Sequence, residues 1–249
     1  MITESFDVSS EPLMAPQTFY GKHEPICDTA VLTFSGVLFD EVIRNYPAEP
    51  IGTIHSCGES RDVYGVHVDG KTIAFYRSSI GSAMAATDVL DVNCITGATN
   101  FVLFGSAGAL DSVKTAGKYV LPTESYRDEG MSYHYAPPAD YIAIPGTERV
   151  AALFDGWGVP YVKGRVWTTD AFYRETRALT EKRRAEGCLA VEMETAGVQA
   201  VCSFHGFSLY AFLMTGDVLD APDYQIANLS NANHSLQNAA LALKIAANL

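Results

Sequence analysis

LAVEMETAGVQAVCSFHGFSLYAFLMTGD, residues 189–217, reads as strand, helix, strand. Leu189 to Met193, apolar except for Glu192, has the pattern of a strand covered on both faces. It breaks at Glu194. The small apolar residues from there to about Phe204 suit a helix, with Gly206 in the position of a C-cap. Leu209 to Met214 is a second apolar run and stops at Thr215-Gly216-Asp217. Two buried strands joined by a helix are the repeating unit of a parallel sheet. In such sheets ligands sit beyond the C-terminal strand ends. Here those ends carry Glu194 and Asp217.

The same grammar recurs upstream. Ala30–Thr33 leads into Phe34-Ser35-Gly36 and the amphipathic run Leu38–Arg44. Thr72–Tyr76 leads into Ser78-Ser79-Ile80-Gly81 and a small-residue helix from Ser82 to about Val92. Asn100–Phe104 leads into Gly105-Ser106-Ala107-Gly108, Tyr119–Pro122 into the polar Arg127–Gly130, and Tyr161–Trp167 into Thr168-Thr169-Asp170. Ser235–Ala247 is an amphipathic helix rich in Ala and Leu. The expected fold is α/β: one domain over residues 29–249 with a central mixed, largely parallel twisted sheet flanked by helices. Residues 1–28 are polar, carry Pro12, Pro16 and Pro25, and read as an irregular extension laid over a surface or a neighbouring subunit.

The 249 residues carry 17 Lys and Arg against 29 Asp and Glu, a net charge of −12. That balance argues against a nucleic-acid partner, whose phosphates require clustered cations. The five cysteines are odd in number and scattered, which suits reduced thiols in a cytoplasmic protein. No apolar run approaches the ~20 residues of a membrane span, and the N-terminus has no signal-peptide pattern, so no membrane partner is expected. The chain lacks G-x-G-x-x-G, a P-loop, H-E-x-x-H and metal-ligand spacings, so no metal site is expected.

Taken singly, Glu194 reads as a helix-start acid, Asp217 as a turn residue and Met193 as core. Together the segments say more. Ser79-Ile80-Gly81, Phe104–Gly108, Thr168–Tyr173, Ala190–Thr195 and Gly216-Asp217 follow an order that resembles the nucleoside phosphorylase and nucleosidase superfamily. That superfamily includes purine nucleoside phosphorylases, uridine phosphorylases and methylthioadenosine nucleosidases. The resemblance spans residues 29–249, and Val191-Glu192-Met193-Glu194 is its most specific piece. It implies an enzyme of nucleoside salvage, a pentosyltransferase that splits a nucleoside N-glycosidic bond by phosphorolysis. No cofactor is implied; inorganic phosphate is the co-substrate.

Residue by residue, the resemblance matches Glu194, with the backbone of Met193, to the group that grips the ribose hydroxyls. Glu192 is the second carboxylate presented at that edge. Asp217 matches the acid that protonates a purine leaving group, which requires a raised pKa. Phe172 matches the aromatic against the base and Ile80 the apolar residue beneath the ribose. Gly105 and Ser106 match the turn whose hydroxyl binds phosphate.

Two phosphate arginines of the phosphorylases are missing: Asp40 and Leu103 stand at their positions. Arg61 sits near a third, which reaches in from a neighbouring subunit, and His23 is the candidate for a histidine that touches the sugar 5′ position from there. Both imply a homo-oligomer, a dimer or a trimer of dimers. The nucleosidase branch instead carries a water-activating glutamate five residues after the first-strand glycine, and Glu41 stands five after Gly36. Hydrolysis is therefore the alternative to phosphorolysis. Uridine cleavage and nucleoside binding without turnover are further alternatives. Tyr173–Arg177 has the arginines of the uridine enzymes but not their glutamine.

Overall fold

The computed structural model describes residues 1–226 and 228–249. Its strands are β1 (Thr29–Thr33), β2 (Ala48–Ile54), β3 (Arg61–Val68), β4 (Lys71–Arg77), β5 (Asn100–Ala109), β6 (Tyr119–Asp128), β7 (Tyr141–Ala143), β8 (Tyr161–Thr169), β9 (Cys188–Glu192) and β10 (Ser208–Val218). They form one mixed sheet in the order β10-β6-β8-β9-β5-β1-β4-β3-β2, with β7 on β6. β10 also pairs with β5, so β5, β9, β8, β6 and β10 close into a ring.

Every residue of β1 and β9 is buried, as continuous apolar runs require. Parallel pairing joins β1 to β4 and β5, β5 to β10, and β8 to β6 and β9. The antiparallel part is larger than the sequence reading expected. β2, β3 and β7 were not foreseen, and all three pair antiparallel. The β3–β4 hairpin turns at Asp69-Gly70, both with positive φ (50° and 79°), the pair a two-residue turn of this hand favours. β2 escapes a pattern reading because it is an edge strand, only partly buried and interrupted by Pro50 and Gly52.

Helices cover both faces. Ser82–Thr96 and Thr195–His205 pack one side through Val89, Val92, Val198 and Val201. Gly36–Asn45, Thr147–Trp157 and Leu236–Ala247 pack the other through Leu38, Val42, Phe154 and Leu243. Gly206 ends its helix in the left-handed conformation (φ 73°). Residues 1–28 hold a 3-10 turn (Ile2–Glu4) and one short helix (Gln17–Tyr20). This segment lies on its own chain: Tyr20 stacks on His55, and Pro25 lies against Gly97.

Candidate active site

A cavity of about 600 Å³ opens at the C-terminal ends of β1, β5 and β9, with the end of β10 as one wall. A second cleft, about 620 Å³, lies beside Tyr119 and the Leu236–Ala247 helix, and among the described residues no carboxylate or histidine lines it. The first cavity gathers Glu192, Glu194, Asp217, Ser106, Phe172 and Ile80. Gly105 and Met193 line it too.

The β9 end is built around Glu192. Its carboxylate accepts from the backbone N–H of Glu194 (2.8 Å) and Thr195 (2.7 Å), from the Thr195 hydroxyl (2.8 Å) and from Thr168. It thereby caps the Thr195–His205 helix and fixes the backbone of its neighbour. Glu192 is thus occupied by protein donors; it positions Glu194 more than it offers itself to a ligand. Glu194 turns into the cavity, where Oε1 accepts from Gly81 N–H at 2.7 Å. Gly81 has φ 96°, a conformation that needs glycine. Burial, and next the adjacent Glu192, push Glu194 up to about 8. Burial raises Glu192 as well. Its four donors favour the ionised form there, so the proton of the pair belongs on Glu194.

Asp217 lies just past an irregularity in β10, opposite Gly108 of β5. A side chain at Gly108 would collide with Leu219 and press on Val191, so the close approach of these strands beside Asp217 requires glycine. Burial raises the Asp217 pKa, and a hydrogen bond from Tyr224 offsets part of that. Phe172 and Ile80, 49% and 65% exposed, present apolar surface at the mouth.

Glu175 also lines this cavity. Burial and the nearby Asp217 push it up to about 7. The sequence reading passed over it because Tyr173–Arg177 was inspected for arginines and a glutamine. Its spacing, three residues beyond Phe172, was the available signal. Asn233 and His234 were also missed. They reach the cavity from the Leu229–His234 helix, where Ser106 Oγ donates to Asn233 (2.5 Å) and Ser35 Oγ meets His234 Nδ1 (2.7 Å).

Three expected residues are placed elsewhere. Arg61 forms a buried two-pronged ion pair with Asp88 (2.6 and 2.7 Å) and donates to the Arg77 carbonyl. Its donors are spent inside its own chain, so it is not a cation reaching into a neighbour's site. The same Asp88 accepts from Ser78 Oγ and Ser79 N–H, so the pair steadies the turn that carries Ile80 and Gly81. Glu41 lies outside the cavity lining and bonds Arg44 and Asn45 on its own helix. It is not beside the groups that would hold a sugar. His23 is exposed and bonds the Tyr20 carbonyl (2.6 Å). Of the positions of the missing arginines, Leu103 is core and Asp40 is exposed. Among the described residues, no Lys or Arg lines the cavity, and no group of three or more His, Cys, Asp or Glu side chains assembles as a metal site.

Compared with known proteins, residues 28–248 match the model of the phosphorylase superfamily. A DeoD-type purine nucleoside phosphorylase of Exiguobacterium sp. is 25% identical over 189 residues, 72% of this chain and 78% of that one. A guanosine phosphorylase of Halorubrum lacusprofundi is 31% identical over 142 residues, 55% of this chain and 58% of that one. In three dimensions, the 5′-methylthioadenosine/S-adenosylhomocysteine nucleosidase of Helicobacter pylori superposes with a TM-score of 0.72 at 15% identity. That match covers 91% of this chain and all of the other, and it speaks to the fold.

Proposed function

The chain belongs to the phosphorylase superfamily, and on that premise we propose that it breaks the N-glycosidic bond of a purine nucleoside with water as the acceptor. One observation carries the reading: Glu194 and Asp217 line a single cavity, each with a raised pKa and each flanked by exposed apolar surface. Cleaving a ribosyl C–N bond develops positive charge on the sugar and negative charge on the base. Glu194, fixed by the Gly81 amide, meets the ribose hydroxyls, and its ionised form, favoured as pH rises through about 8, steadies the cationic sugar. Burial raises the Asp217 pKa and so favours its protonated form, which passes the proton to purine N7 as the bond breaks. A pyrimidine has no N7 to receive it. Phe172 offers a face for the base.

The acceptor follows from charge. The cavity is lined by carboxyls, serines, an amide and an imidazole, with no Lys or Arg among the described residues. A phosphate dianion is poorly held in such surroundings, whereas water brings no charge. Phosphorolysis is the second reading. It is supported by the two phosphorylase relatives and by Arg77, whose Nη1 lies 3.3 Å from where a Gly36 side chain would begin.

Base release from a panel of purine and pyrimidine nucleosides, with and without phosphate, tests both. Purine release at the same rate in phosphate-free buffer is expected. A strict need for phosphate selects the second reading. Tight binding with no release of any base would leave a nucleoside-binding protein.

A further inference from the structure

Ser35 and Ser106 sit three residues past the paired Leu32 and Leu103 of the neighbouring strands β1 and β5, so both hydroxyls stand at one level of the sheet edge. Gly108 and its partner Asp217 lie two residues further along, about 7 Å away. The cavity thus has two ends: Asp217, Glu175 and Phe172 at one, Ser35 and Ser106 at the other.

The Leu229–His234 helix closes over the serine end. Gly216 permits this: a side chain there would come within 2.9 Å of Leu229 Cα and 3.0 Å of Ala232 Cβ. The Gly216 carbonyl also accepts from Asn228 N–H at 2.6 Å. So held, the helix sets Asn233 on Ser106 and His234 on Ser35.

We infer that His234 is the base that activates the acceptor water, with Ser35 as its positioning residue. The inference rests on the water reading above. Ser35 Oγ already accepts from Leu38 N–H at 3.1 Å and has a second lone pair for Nδ1–H of His234. With its proton placed there, the imidazole keeps a lone pair on Nε2, which has no hydrogen-bond partner among the described residues. His234 is exposed at the cavity rim, within reach of solvent. In the step, water oxygen bonds to C1′ while one of its protons passes to Nε2. The C1′–N9 electron pair leaves with the purine, whose N7 takes the Asp217 proton. Free base and ribose form, and solvent returns His234 and Asp217 to their starting protonation states. Glu41, the water activator that the family resemblance suggests, is engaged with Arg44 instead.

The test is purine release in phosphate-free buffer by wild type, His234→Ala, His234→Asn and Ser35→Ala. Wild-type turnover without phosphate is the control for the water reading, and its absence overturns that reading and this one together. Given that turnover, both His234 variants should lose about 10²–10⁴-fold in kcat with KM little changed. Added imidazole should restore part of the rate to His234→Ala, which loss of a merely structural contact would not allow. Ser35→Ala should lose less and gain nothing from imidazole. His234→Asn retains an amide to meet Ser35, so near-wild-type turnover in that variant, or failure of imidazole to help His234→Ala, overturns the assignment while leaving the water reading intact.

Discussion

A carboxyl group in this chain takes its chemistry from what surrounds it. Asp217 and Glu194 could be read in the sequence because each stands where an apolar run ends. Asp217→Asn keeps the shape and removes the proton, so purine release should fall about 10²–10⁴-fold with KM nearly unchanged. Steady-state kinetics would show it, and full activity would remove Asp217 from its role. Arg61 and Glu41 do not stand where the resemblance implied: Glu41 is engaged by Arg44 and Asn45 on its own helix, whereas Arg61 finds its partner only in three dimensions. The partner of Arg61 is 27 positions away, on another element. Removing one half of a buried ion pair leaves the other uncompensated, so Arg61→Met should cost about 3–5 kcal/mol in urea unfolding. A loss under 1 kcal/mol would contradict that burial.

At the scale of elements, the site depends on how strand ends and turns meet. The Ser78–Gly81 turn follows β4, and Glu194 follows β9, more than a hundred residues later. Close packing of two helices, Gly197 of one against Ser82 of the other, brings them together. Gly81 at φ 96° is the hinge of that meeting. Gly81→Ala should cost about 1–3 kcal/mol of backbone strain. It should also shift the amide that holds Glu194, raising KM for nucleoside more than it lowers kcat. Unchanged KM would mean that the amide does not orient the carboxylate. Apolar runs announced β1, β4, β5, β6, β8, β9 and β10, since strands buried on both faces must be apolar. β2 and β7 are only partly buried and leave a weaker pattern. Asp69-Gly70 was a legible hairpin signal that brings in β3.

For the whole molecule, the cluster of buried acids sets a pH dependence. Glu194 and Glu175 titrate near 8 and 7 when folded, and Asp217 is raised as well. In the unfolded chain such groups release their protons near about pH 4. Between those limits the folded state binds more protons than the unfolded state, so stability falls as pH rises through the window. The melting temperature should drop from pH 5 to pH 8. Glu194→Gln should flatten that slope and stabilise the protein at pH 8 while abolishing turnover. A melting temperature that rises over this range would refute the assignment. For assembly, we propose a homo-oligomer, supported by the exposed Ile80, Phe172 and Tyr173 at the cavity mouth. Light scattering should return a mass of at least two chains, and a strict monomer would overturn it.

The sequence by itself determined the α/β character, seven of the strands and the acids at two of their ends. Burial on both faces demands apolar runs, and those runs are written locally. The tertiary structure decided which groups share one cavity: Glu175 beside Asp217, His234 on Ser35, and Arg61 turned inward to Asp88. Those meetings join residues far apart in the chain, and only the closure of the sheet and the packing of its helices brings them within hydrogen-bond or Coulomb range.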